Sequence, residues 1–330
     1  MSKRVDSQLF VALLFLVLVP LCAHFMFSWM GFTPTDEGFT LAYSRRILDG
    51  QVPHRDFIII RPFVSPLIHV PFVWLGGAST FWLSRLFVWF QLASISLLWV
   101  LIIDRLTQRS LKGIQLFSIA LLCFAVTTHI KHVTAWHTID GLFFAAIAFT
   151  CTITKSPRTK MIGYLFIGVA PLCKQSFVFL IPFSLLILND WRRVRYWIAA
   201  LSPSFAYAIY LVAERAFEPA VVQLTAQTSL LQVGLVRYIV ILAPVFAILG
   251  YATPKIFTHP RLDQRTRTSI TLLVFYFGPV AGTAISLWYG ILIYTSFLLF
   301  GLLLGVTIAL HLNRNKEELR GLNTSAWLVL

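Results

Sequence analysis

Ten runs of apolar residues, each long enough or nearly long enough to cross a bilayer, set what this chain can become. They fall at about 9–30, 82–103, 114–128, 139–153, 161–173, 176–188, 196–213, 237–253, 270–287 and 289–311. A backbone in lipid must satisfy its own polar groups, and at this run length that means helices. With 58% of residues hydrophobic and 12% charged, an aqueous surface is excluded. The expected fold class is an all-α polytopic membrane protein of about ten transmembrane helices.

The charges between the runs orient them. With the N-terminus in the cytoplasm, the loops on that side hold 18 of the 27 Lys and Arg, as the positive-inside rule requires. The net charge of +14 reads as this topology signal and not as a nucleic-acid surface, because no basic stripe is interleaved with exposed aromatics. Residues 62–81 are apolar but are expected along the outer interface, since counting them as a span inverts every later cluster. Pro62, Pro66 and Pro71 are expected to break any long helix there. Residues 161–188 lie between basic loops, so they cross twice, in short spans meeting near Pro171 and Lys174-Gln175. The first run is about as long as a retained span, longer than the apolar part of a signal peptide. Cys22, Cys123, Cys151 and Cys173 sit in apolar runs without a CxxC pair and are read as core. The domain expectation is a transmembrane unit over 1–312, its first extracytoplasmic loop at 31–81, and a short cytoplasmic tail at 313–330. The tail ends in an apolar stretch, Ala326 to Leu330, that would open a further run in a longer relative.

The outward loop between the first two runs holds Asp36, Glu37, Asp49 and Asp56, four of the thirteen acids, so chemistry is sought there first. Phe39, Ala42, Tyr43 and Ile47 recur at helical spacing, which predicts a short amphipathic helix on the membrane surface. Thr35 or Asp36 is expected to cap its start and Gly50 to end it in the left-handed conformation, with Pro53 preventing resumption.

Asp36-Glu37 at the water–membrane boundary suits a base that takes a proton from a hydroxyl while a lipid-borne donor approaches from the side. Helix capping and dipole matching explain the same residues without chemistry. Arg55-Asp56 and Arg61 suit phosphate binding or orientation of the acids, and equally a surface salt bridge. Asp140, where span four begins, is a functional candidate or a cap. Lys174-Gln175 lies between spans too short to lift it to the surface, so its cation calls for an anion such as a lipid phosphate, with snorkelling as the alternative. Arg85 is read as snorkelling. His129, His132 and His137 with Asp140 match no specific zinc spacing, and no metal or other cofactor is required.

Taken together, Asp-Glu after span one, a helix ending in Gly-x-x-Pro-x-Arg-Asp-Phe, Arg61-Pro62, Asp140-Gly141 and Lys174-Gln175 resemble the GT-C superfamily of polytopic glycosyltransferases. The likeness is to the branch with protein O-mannosyltransferases and the lipid A aminoarabinose transferase, and it covers roughly residues 9–190. His54 stands where that pattern commonly has Tyr, and the chain shows a short tail where many members continue into further spans or an extracytoplasmic domain. The resemblance implies an inverting transfer of a sugar from a polyprenyl-phosphate donor to a glycan, lipid or protein hydroxyl, at the outer face of the inner (plasma) membrane. It implies Asp36 as catalytic carboxylate with Glu37 beside it, Asp140 as a second acid, and Arg55, Asp56, Arg61, Lys174 and Gln175 as substrate contacts. The rival readings are a multi-span transporter or lipid flippase, and a truncated relative that has lost transfer.

Overall fold

The computed structural model describes residues 2–107, 111, 113–130, 133–154 and 156–226, and these are mostly helical, with no strand among them. The helices are α1 (Ser2–Phe27), α2 (Phe39–Leu48), α3 (Val64–Gly76), α4 (Thr80–Thr107), α5 (Gly113–Ile130), α6 (His137–Thr152), α7 (Pro157–Cys173), α8 (Leu180–Ile187), α9 (Val194–Ala213) and α10 (Phe217–Thr225). The first seven expected spans each coincide with a helix. The expected runs at 237–253, 270–287 and 289–311, and the tail at 313–330, lie outside the described residues.

Among the described residues three helical stretches are long and apolar enough to cross a membrane: Gln8–Phe27, Val64–Arg105 and Val194–Ala213. Their outer faces are apolar too. Phe10 and Val17 on α1 are 66% and 59% exposed, and Ile198, Phe205 and Ile209 on α9 are 63–69% exposed, a surface suited to lipid and not to water. These helices mark a membrane protein.

Residues 64–76 differ from expectation, because one helix runs through both prolines. Pro66 falls in the first turn, where no helical N–H is needed, and only Pro71 interrupts the interior. Gly77 (φ +48°) then turns the chain, so that α3 packs back against α4 instead of extending it. The cysteines also differ in part. Cys173 is buried, Cys123 and Cys151 are half-buried, and Cys22 is exposed on the apolar face of α1.

Two cores hold the bundle. In one, Phe15 and Val19 of α1, Val88 and Leu92 of α4, Leu116 of α5 and Ile139 of α6 interlock. In the other, Tyr164 of α7 and Tyr196 of α9 pack with their rings 4.8 Å apart beside Ile181 and Leu185 of α8. Small residues let these helices approach. A Cβ on Gly163 would lie 2.8 Å from the Ala148 carbonyl oxygen of α6, and one on Gly168 would overlap the Ala200 carbonyl oxygen of α9. Gly168→Val is therefore expected to force α7 and α9 apart. Size-exclusion chromatography and thermal unfolding in detergent should show a lower melting temperature or aggregation, and an unchanged profile would refute the close crossing.

Candidate functional site

The predicted surface helix is α2, but it does not begin as the sequence suggested. Residues Pro34–Gly38 form a π-helical turn that runs directly into α2, so neither Thr35 nor Asp36 caps it, and the Thr40 hydroxyl donates to the Asp36 carbonyl instead. The end does follow the prediction. Gly50 (φ +81°) closes α2 with Gly50 N–H to the Ile47 carbonyl and Gln51 N–H to the Arg46 carbonyl, the paired bonds of a Schellman motif.

The π turn sends its two acids in different directions. Glu37 is fully buried, and both of its oxygens accept from Arg85 of α4, at 2.7 Å from Nε and 2.7 Å from Nη2. Arg85 spends its remaining donors on the carbonyls of Ser28, Met30 and Gly31. It is thus no snorkelling residue, since its side chain is 7% exposed and pins the loop after α1 to α4. Glu37, expected beside Asp36 in the chemistry, is committed to that pair. Asp36 instead faces a cavity of about 210 Å³, and among the described residues no donor reaches its carboxylate.

Around that cavity stand Tyr43 of α2, Arg61, Ser65 of α3, His137 at the start of α6 and Cys173 at the end of α7. Phe39 and Ile58, 55% and 71% exposed, form its open rim. Its volume is below the roughly 300 Å³ that accommodates a drug-sized molecule, so it suits one small moiety. Arg61 Nη1 donates to His137 Nδ1 at 3.2 Å. Burial raises the Tyr43 phenol above its ordinary value, against the pull of the Arg61 and Arg46 charges.

Asp140 lies behind this wall, fully buried, and it is no cap, because Trp136 occupies that position. The Ser65 hydroxyl donates to Asp140 Oδ2, Gln91 Nε2 donates to Oδ1 at 2.7 Å, and His69 Nε2 lies 3.4 Å from Oδ1. Ser65 therefore joins the buried acid to the cavity. Lys174 sits in the extended link between α7 and α8, where Nζ donates to the Thr138 hydroxyl at 3.1 Å and lies 5.9 Å from the Trp136 ring. It is not among the residues that line the cavity, although its neighbour Cys173 is.

Three expected contacts are used elsewhere. Arg55 grips Asp56 through Nε and Nη2 and reaches the Glu214 carbonyl and carboxylate beyond α9, away from the cavity. The Arg55 guanidinium and then the Val52 N–H hold the Asp56 carboxyl below its ordinary value. Gln175 donates to the Ile60 carbonyl and so fastens the strip beside Arg61. Of the three histidines considered together, His137 alone lines the cavity, and His132 lies outside the described residues. Among the described residues no cluster of three or more His, Cys, Asp or Glu gathers as a metal site.

Sequence reasoning missed Ser65, His69 and Gln91, which look like ordinary helix residues until α3, α4 and α6 bring them to Asp140. It also missed His54. With φ +69°, His54 bonds Tyr207 through Nε2 and Gln223 through Nδ1, and Gln223 returns a bond to the His54 carbonyl, so the loop is clamped to α9 and α10. No family model, curated protein or solved structure matches the chain.

Two outcomes are expected. Removing one partner of the buried pair, as in Arg85→Met, should cost about 3–5 kcal/mol of stability, while exposed Arg45→Gln should cost under about 1 kcal/mol; equal losses in denaturant titration would contradict the assignment. Burial, offset by the Gln223 and Ile59 bonds, depresses the His54 pKa, so the folded loop prefers neutral imidazole. The clamp is then complete above the unfolded value of about 6.5 and weakens as pH falls through it. Proteolysis after Arg55 should accelerate between about pH 7.5 and pH 5.5 beyond the protease's own pH dependence, and a flat corrected rate would contradict the clamp.

Proposed function

We propose that this protein is a GT-C-like membrane glycosyltransferase of about ten spans, with its N-terminus in the cytoplasm of a cell bounded by the plasma (inner) membrane that holds it. It moves a sugar from a polyprenyl-phosphate donor to a hydroxyl of an envelope glycan, lipid or protein, with inversion. The observation that carries this reading is the Asp36 carboxylate, without a donor among the described residues, on the same cavity as Arg61.

The chemistry follows from those groups. Asp36 takes the proton of the acceptor hydroxyl as its oxygen bonds to the anomeric carbon, and the bond from that carbon to the phosphate oxygen breaks. The electron pair leaves with the lipid phosphate. Arg61, with Lys174 beyond the Cys173 wall, supplies positive charge where negative charge develops. A phosphate leaving group needs no protonating acid, so a second carboxylate in the cavity is not demanded. Asp140 and Glu37 are positioning residues here: one holds the Ser65 hydroxyl at the wall, and the other sets the turn that presents Asp36. Neither metal nor organic cofactor is called for.

A second reading, a proton-coupled transporter, draws on Asp140 with His69 at 3.4 Å in the helical interior, the type of buried ionisable pair that relays use. Counterflow of labelled solute that is lost in Asp140→Asn and indifferent to Asp36→Asn would favour it.

For the transferase, Asp36→Asn should lower sugar transfer from a lipid carrier at least about 100-fold while the protein elutes and melts as before. Near-normal turnover would remove Asp36 from the chemistry.

A further inference from the structure

The start of α7 lies one helix length from the cavity, and its surroundings are built differently. Seventeen residues of α7 separate Pro157 from Cys173, about 25 Å of rise, so Arg158 and Lys160 stand near the membrane face opposite Lys174. The turn between α8 and α9 meets them there. Asn189 (φ +55°) closes α8 with Asp190 N–H to the Leu185 carbonyl, which aims the Asp190 side chain back at α7. Asp190 is 2% exposed, and it takes Lys160 Nζ at 3.0 Å and the Tyr164 hydroxyl at 3.1 Å on Oδ2, and Arg193 Nη1 at 3.4 Å on Oδ1.

This acid is outnumbered. It is the sole Asp or Glu between residues 141 and 213, and the two segments that meet at it carry Arg158, Lys160, Arg192, Arg193 and Arg195, leaving a net charge of +4. Lys160 and Arg193 are held by Asp190, and Arg192 and Arg195 by aromatic rings. Arg195 lies 4.7 Å over the Tyr196 ring and donates to its hydroxyl, Arg192 lies 4.8 Å over the Trp191 ring, and Trp197 fixes that turn by donating to the Trp191 carbonyl. Side chains fixed in this way have already lost the rotamer freedom that an anion would otherwise have to remove. Arg158, Arg192, Arg193 and Arg195 remain exposed.

Immediately beside these charges the surface becomes apolar. Met161 and Ile162 on α7 are 41% and 50% exposed, and Val194 and Ile198 on α9 are 70% and 63% exposed. Fixed cations above a greasy strip match a molecule with an anionic head and hydrocarbon tails, whereas a free phosphate would leave the strip unused.

We propose that the platform formed by Arg158, Lys160 and the Asp190–Arg195 turn binds the headgroup of an anionic phospholipid, on the membrane face opposite the cavity. The site stands whether or not the cavity transfers sugar.

The test is lipid titration of the full chain in neutral detergent, read by native mass spectrometry, with phosphatidylglycerol, phosphatidylcholine and inorganic phosphate as probes. Phosphatidylglycerol should bind and phosphatidylcholine should not, and inorganic phosphate at millimolar concentration should not displace it. Arg158→Gln with Arg192→Gln, neither of which touches Asp190, should weaken binding roughly 25-fold, and the paired Lys replacements should restore it to within a few fold. Equal binding of phosphatidylcholine, or wild-type affinity in the Gln pair, would overturn the proposal. Displacement by phosphate would reassign the platform to a small anion and overturn it likewise. If the Gln pair fails to fold, wild-type binding that is indifferent to salt between about 0.05 and 0.5 M would overturn it.

Discussion

The ion pair between Glu37 and Arg85 decides where everything else in the outward loop can go. Two unlike charges are taken out of water, and their desolvation is offset by a two-pronged hydrogen bond with three backbone carbonyls completing the guanidinium's partners. Carbonyls at Ser28, Met30 and Gly31 would otherwise be left loose where α1 runs out. Tying them to α4 fixes the entry to the π turn. Because neighbouring residues of a helical turn point in different directions, burying Glu37 turns Asp36 away from the core and toward the cavity.

From that anchor the cavity is assembled out of distant pieces. Gln175 holds the Ile60 strip, Gln223 holds the His54 and Ile59 strip, and Asp140 holds Ser65, so backbone and side chains of the loop are each fixed by a different helix. Several buried polar groups among the described residues, Glu37, Ser65, Arg85 and Asp140, serve this loop. The opposite end of α7 has a parallel economy, with the buried Asp190 keeping two cations, Lys160 and Arg193, in place.

Sequence alone carried the helices well and the side-chain partnerships poorly. Continuous apolar runs can only be helices in lipid, so the helices at the first seven runs were legible, as was the glycine that ends α2. The helix through Pro66 and Pro71 was not, because proline's cost depends on its place in the helix, and one of the two falls in the first turn where that cost vanishes. Asp36 and Glu37 are indistinguishable as letters. Only the position of Arg85, 48 residues further along in a run read as lipid-facing, separates a buried structural carboxylate from an available one. Arg55-Asp56 misled for a similar reason: neighbouring opposite charges suit a ligand or each other, and here they grip each other and Glu214.

The central claim is that Asp36, Arg61 and Ser65 border a compartment that receives the head of a lipid-linked sugar. The most direct measurement is photolabelling of the membrane-embedded protein with a polyprenyl-phosphate sugar bearing a photoreactive group on the sugar ring, followed by peptide mapping. The account predicts adducts confined to residues 35–43, 58–66 and 137–140, abolished by excess unlabelled donor. Labelling spread along the lipid-facing sides of α1 and α9, or unaffected by that competitor, would contradict it.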